Sequence, residues 1–268
     1  QTCALPISWG FNQYGALGNL TSGNLNYFIS SPVLVSGPAG TSWSMVSAGS
    51  SHSLGLTTTG ALYAWGLNSS GQLGINSQTT VSSPVLVSAP AGTSWTMIAS
   101  GAGGIFSVGL TTTNVLYAWG GNTAAQLGNL SLVGVSSPVL VSAPAGVTWT
   151  FIFSGQSHTL ALTNLGVLYA WGLGTSGQIG NNATLSISSP VLVSGPTGMS
   201  WSIIGAGCNS SYAINTNGVL YSWGSNNLGV MGVPSGTTQK SSPVLVSAPA
   251  GLSWYAVAGF SHAMGISA

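Results

Sequence analysis

Valine, isoleucine, threonine, tryptophan and tyrosine come in short runs along this chain, and glycine, proline and asparagine separate the runs. β-Branched and aromatic residues fit the pleated, half-buried surface of a strand, and the separators are turn formers. No segment of useful length repeats its apolar positions at helical spacing. One stretch makes the pattern concrete: it predicts strands at Pro84–Ala89, Trp95–Ser100, Ser107–Thr112 and Val115–Trp119. The Thr-Thr-Thr-Asn segment ending at Asn114 joins the last two, and Thr-Thr-Thr-Gly ending at Gly60 is its counterpart. Both read as hairpin turns in which Asn114 or Gly60 takes a positive φ.

The four-strand pattern recurs. Ser-Pro-Val-Leu-Val begins at Ser31, Ser83, Ser137, Ser189 and Ser242, in steps of 52, 54, 52 and 53 residues. A tryptophan follows at Trp43, Trp95, Trp149, Trp201 and Trp254, and a Trp-Gly pair begins at Trp9, Trp65, Trp119, Trp171 and Trp223. These two periodic positions account for all 10 tryptophans. That regularity assigns them to the repeat core rather than to a sugar-stacking face. Four short strands per repeat, repeated radially, predict an all-β fold: a β-propeller of four-stranded antiparallel blades, one domain spanning 1–268. His52 to Trp65 and His158 to Trp171 are each 13 residues, and the stretch after His262 plus the stretch before Trp9 sums to 15. The reading is therefore five blades, one of them shared between the termini, with the first strand joining the last three. An alternative has the first strand complete the last blade of a neighbouring copy, a heterologous contact that propagates unless it closes into a ring.

The segment Leu62-Tyr63-Ala64-Trp65-Gly66-Leu67-Asn68-Ser69-Ser70-Gly71-Gln72-Leu73-Gly74, with Ala48-Gly49-Ser50-Ser51-His52-Ser53-Leu54 before it, resembles the RCC1 repeat (regulator of chromosome condensation), and the likeness recurs in all five copies. The resemblance implies four-stranded blades around a central axis, seven in the best-known members. It also implies a structural hydrogen bond for the histidine of the Gly-x-x-His motif. Nucleotide exchange on a small GTPase and histone binding are the family's best-known activities. They use charged surfaces, so only the family's wider role as a protein-binding platform is expected here.

Charge narrows the choice further. Soluble domains are about 25% charged, yet this chain has one charged residue, Lys240, and no Asp or Glu. Phosphate neutralisation needs several Lys or Arg, so nucleic acid is excluded as a partner. Carboxylate catalysis and hard-metal sites lack their oxygens. Serines and histidines are present, but no carboxylate can orient an imidazole, so the chain is read as non-enzymatic and without a cofactor. His52, His158 and His262 share one repeat position, with Phe106 and Ser210 at the other two; a structural role is favoured over an axial metal cluster. The Gly-Gln-Leu-Gly segment at Gly71–Gly74 and its Gly-Gln-Ile-Gly counterpart at Gly177–Gly180, with variants at 15–18 and 125–128, lack a following Lys and a helix and read as tight turns between blades.

Sequons at Asn19, Asn68, Asn129, Asn182 and Asn209 are candidate glycan sites should the chain be exported. Cys3 and Cys208 could form one disulfide. No transmembrane run and no basic leader with an apolar core is visible. Near-zero charge normally invites precipitation, so hydroxyls, glycans or burial in an assembly must shield the surface. The leading expectation is thus an extracellular or cell-surface structural protein that self-assembles into a filament or coat. The alternative is a soluble propeller that binds glycan or protein through loops breaking the repeat: Tyr27-Phe28, Gly101–Ile105 and Met231–Lys240.

Overall fold

A computed structural model describes residues 6–20, 28–233, 238–247, 252–259 and 262–267. The described residues form 20 β-strands and no helix. In chain order the first six are β1 (Ile7–Phe11), β2 (Phe28–Leu34), β3 (Trp43–Ala48), β4 (His52–Thr57), β5 (Leu62–Gly66) and β6 (Val81–Leu86). Next come β7 (Trp95–Ser100), β8 (Phe106–Thr111), β9 (Leu116–Gly120) and β10 (Val135–Leu140). They are followed by β11 (Trp149–Ser154), β12 (His158–Thr163), β13 (Leu168–Gly172) and β14 (Ile187–Leu192). The last six are β15 (Trp201–Ala206), β16 (Ser210–Asn215), β17 (Leu220–Ser225), β18 (Gln239–Leu245), β19 (Trp254–Gly259) and β20 (Ala263–Ser267).

Strands β3–β6, β7–β10, β11–β14 and β15–β18 form four-stranded antiparallel sheets, whereas β1–β2 and β19–β20 each form a two-stranded sheet. This corrects the strand grouping read from the sequence. The Ser-Pro-Val-Leu-Val strand does not open a new sheet; it pairs backwards with the Trp-Gly strand, Leu86 opposite Tyr63 and Val85 opposite Ala64. Each sheet therefore begins at the tryptophan strand and ends at the Ser-Pro-Val-Leu strand. The terminal strands consequently divide two and two, β1 with β2 and β19 with β20, rather than one and three.

The Trp-Gly strand can make that return because its glycine breaks the register. In β5 the register shifts between Ala64 and Gly66, and Gly66, Gly120, Gly172 and Gly224 hold φ of 105°, 104°, 102° and 102°. A side chain on Gly120 would meet the Ile105 carbonyl oxygen at 2.5 Å and Phe106 Cα at 2.7 Å. Only glycine combines that dihedral with that approach. The hairpin turns behave as read, with Gly60 at φ 79° and Asn114 at φ 62°.

The chain divides into two compact units, Gln1–Asn122 with Val133–Leu140, and Thr123–Leu132 with Val141–Ala268. The first has a core of Leu54, Leu56, Leu62, Leu73, Val87, Trp95, Ile98 and Trp119. The second is built around Leu160, Leu168, Ile179, Trp201, Ile204 and Trp223. Every residue of β8, β12 and β16 is buried, polar ones included, so their hydroxyls must find partners inside.

Candidate binding surface

Successive sheets are locked by one carbonyl. Within the first unit the Trp65 indole N–H donates to the Ala16 carbonyl at 2.9 Å and the Trp119 indole to the Gln72 carbonyl at 3.0 Å. Within the second, Trp171 donates to the Gln126 carbonyl at 3.0 Å and Trp223 to the Gln178 carbonyl at 2.9 Å. Each carbonyl takes a second bond from a hydroxyl: Ser53, Ser107, Thr159 and Ser211 donate at 2.8, 2.8, 3.3 and 2.8 Å. The accepting turn is stitched from within. Leu17 N–H donates to Asn12 Oδ1 and Leu73 N–H to Asn68 Oδ1, at 3.0 and 2.9 Å, and Ser70 N–H donates to Gln72 Oε1 at 2.9 Å. The periodic tryptophans of these sheets also pack edge-on or tilted in pairs, as with Trp95 and Trp119 at 5.8 Å.

The histidines extend this lock. His52 Nε2 lies 2.9 Å from Ser107 Oγ, and His158 Nε2 lies 2.9 Å from Ser211 Oγ. Each serine commits its only proton to a backbone carbonyl, so each imidazole donates from Nε2. Burial depresses both pKa values from 6.5 to about 4; for His52 a weaker opposing pull comes from the Gly104 carbonyl. His262 is exposed. Among the described residues no three His, Cys, Asp or Glu gather as metal ligands.

Of the sequence candidates, Trp43, Trp65, Trp95, Trp119, Trp149, Trp171, Trp201 and Trp223 are buried, Trp254 is half-buried and Trp9 is exposed. Asn68 is fully buried, and its amide donates to the Ser77 and Thr79 carbonyls; as a turn residue it has no side chain to offer a glycan in the folded chain. Asn19, Asn129 and Asn209 are half-buried and Asn182 is exposed. Cys208 is half-buried with its thiol pKa raised by burial, while Cys3 and Tyr27 lie outside the described residues. The Gly101–Ile105 segment turns inward: Gly104 carbonyl accepts from Gln72 Nε2 at 2.9 Å. The hydroxyls that share the tryptophan carbonyl were not singled out from the sequence, although a Ser or Thr recurs directly after four of the five histidine positions.

Among the described residues, the loop after a turn faces solvent. Its anchor is one backbone bond to the outer strand of the next sheet, from Leu20 to Ser82, Asn76 to Ser136, Leu130 to Ser188 and Asn182 to Ser241, at 3.1, 2.8, 2.8 and 2.8 Å. The anchoring residues hold φ of 64°, 55°, 62° and 65°. Asparagine tolerates this left-handed conformation; leucine does so at a cost. Leu20 and Leu130 are nonetheless 68% and 70% exposed, and Leu132 and Leu185 in the same loop family are exposed as well.

Models of the regulator of chromosome condensation (RCC1) repeat match residues 7–56, 59–108, 114–162, 166–214 and 217–264. The human E3 ubiquitin-protein ligase HERC2 is 30% identical over 240 residues, which is 90% of this chain and 5% of that protein. The ultraviolet-B receptor UVR8 of Arabidopsis thaliana is 29% identical over 242 residues, 90% of this chain and 53% of the receptor. Among solved structures, human WBSCR16 superposes with a TM-score of 0.85 at 23% identity, over 98% of this chain and 67% of that one. Prp20p of Saccharomyces cerevisiae, solved with attention to its binding of Gsp1p and histones, gives 0.84 at 22% identity over 100% and 65%. The likeness shows the fold: an all-β propeller type built of four-stranded antiparallel blades. The chain thus spans about half the length of the receptor and a small part of the ligase. The extracellular or cell-surface expectation is overturned: a relative 29% identical over 90% of this chain, RUG3 of Arabidopsis thaliana, is mitochondrial by name. With it goes the export on which the glycan reading depended.

Proposed function

The chain belongs to the RCC1 repeat family, and from that premise we propose that it is a non-enzymatic module that binds a protein partner through the loops following its glycine turns. The observation that carries this reading is the pair of leucines, Leu20 and Leu130, in left-handed backbone with their side chains in solvent. A leucine there costs about 1 kcal/mol in backbone strain and buries nothing in return. Asn76 and Asn182 hold the equivalent positions without that cost. Unfavourable local conformations that folding does not reward concentrate where function rewards them. Protein binding is named by relatives such as Prp20p, whereas the ligase activity named for HERC2 is not carried over, since this chain matches 5% of it. The non-enzymatic part rests on composition: no Asp or Glu side chain is present.

The test replaces Leu130 with the asparagine of its counterparts. Leu130→Asn should be equally or slightly more stable in urea, by about 0.5–1 kcal/mol. It should also lose roughly tenfold or more in capture of its partners from extract of the source cells, read by quantitative mass spectrometry. Leu165→Ser, on an exposed hairpin turn, is the control. Equal capture by Leu130→Asn and wild type defeats the proposal.

A further inference from the structure

The hairpin turn between the histidine-position strand and the Trp-Gly strand is built alike in the four-stranded sheets. It runs Thr57–Gly60, Thr111–Asn114, Thr163–Gly166 and Asn215–Gly218. Its last residue holds a positive φ, of 79°, 62°, 71° and 75° in turn. Where that residue is glycine, its carbonyl anchors the tryptophan strand of the following sheet. Trp95 N–H donates to Gly60 at 2.9 Å, and Trp201 and Trp254 donate to Gly166 and Gly218 at 2.8 Å each. The turn therefore holds the next sheet as well as reversing its own.

The residue before that glycine or asparagine is Thr59, Thr113, Leu165 or Asn217. Asn217 is exposed at the tip of the fourth turn. Asn-Gly occurs once in the sequence; every other asparagine precedes a residue that carries a side chain. The buried Asn215 ties this turn. Its Oδ1 accepts the N–H groups of Asn217 and Val219 at 3.0 and 2.9 Å, and its carbonyl accepts the Gly218 N–H at 3.0 Å.

We propose that Asn217 is a modification site: its side-chain amide is lost by cyclisation onto Gly218, and the isoaspartate that results loosens the Trp254 strand. When the Gly218 N–H leaves the Asn215 carbonyl and yields its proton to solvent, the nitrogen attacks Asn217 Cγ. The N–Cγ bond forms, the Cγ–Nδ2 bond breaks, and the nitrogen departs as ammonia, recovering that proton. Glycine has no Cβ to obstruct the attack, and an exposed turn tip leaves room for the ring. Water then opens the succinimide. Cleavage at Cγ leaves aspartate; cleavage at the Asn217 backbone carbonyl leaves isoaspartate, whose main chain runs through Cβ. The new carboxylate is the first on any side chain here and moves the formal net charge from +1 to 0. The extra methylene of isoaspartate displaces Gly218, so its carbonyl no longer meets the Trp254 N–H.

Ageing of the full chain at mildly alkaline pH tests it. Isoelectric focusing should show a second species one charge more negative, and chymotryptic peptides should place the change at Asn217. In urea the conversion should run faster, because Gly218 N–H is no longer held. In the isoaspartate species, hydrogen exchange at the Trp254 amide should quicken roughly fivefold or more, the scale of one backbone hydrogen bond. Asn217→Thr, with the residue of the first two turns, should keep both its charge and its Trp254 protection. Asn217→Asp carries the charge without the methylene and should keep that protection too. Native chain that stays unconverted while the urea sample converts overturns the proposal. So does a charge change that persists in Asn217→Thr, isoaspartate that leaves Trp254 exchange unaltered, or Asn217→Asp quickening that exchange as much as isoaspartate does.

Discussion

His52 and His158 enter the fold uncharged, and in this chain that has an unusual weight. Their folded pKa values are about 4 against an ordinary 6.5. Above pH 6.5 both states are neutral and the histidines add no pH dependence. As pH falls below 6.5 the unfolded chain takes up protons that the native chain refuses. Each histidine then removes up to about 1.4 kcal/mol of stability per pH unit. The loss levels off near pH 4, where the native imidazoles also protonate. No Asp or Glu is present to superimpose a slope of its own. Urea midpoints at pH 7.5, 6 and 5 should therefore fall steadily, and His158→Phe should roughly halve the fall. Phenylalanine is the natural choice because Phe106 occupies that repeat position, fully buried; an unchanged slope would show that the imidazole is not the titrating group. At this scale eight of the ten tryptophans were legible as buried, because period alone exposes a core position, whereas Trp9 is exposed and Trp254 half-buried. The shared carbonyl of Ala16, Gln72, Gln126 and Gln178 was not, since a backbone acceptor leaves no residue-type signal. Nor were the left-handed leucines legible, because leucine in a loop says nothing of its φ.

Strand existence was readable from composition and turn residues, but strand partnership was not. The Ser-Pro-Val-Leu strand stands closer in sequence to the tryptophan strand after it than to the Trp-Gly strand before it, and proximity suggested the wrong neighbour. What reverses the pairing is the stitched turn, in which Asn68 and Gln72 tie the chain into a compact loop that delivers β6 back to β5. The register break at the strand glycine completes the return, so glycine there should be indispensable. Gly120→Ala forces a Cβ against the Ile105 carbonyl at a φ of 104° and should cost about 2–4 kcal/mol. Gly92→Ala, with a positive φ of 79° but open space around it, should cost about 1 kcal/mol. Urea denaturation of the two variants side by side separates backbone strain from strain plus collision; equal losses would mean that the close approach is not what requires glycine.

For the molecule as a whole, repetition revealed the fold class, while the uncharged surface misdirected the expectation of where the protein resides. Absence of ions limits which chemistry and which partners are open to a surface, but it carries no address. The same composition has a practical consequence. Lys240 is the single residue in 268 after which trypsin can cut. It sits in β18 opposite Gly224, and the carbonyl of the next residue, Ser241, accepts the Asn182 N–H at 2.8 Å. A protease must draw several extended residues into its cleft, so the scissile bond is reached only after this strand detaches. Native protein should thus resist trypsin and, as urea is added, split into 1–240 and 241–268 at a rate set by how often β18 opens. The lone lysine turns an ordinary digest into a stopwatch for one strand.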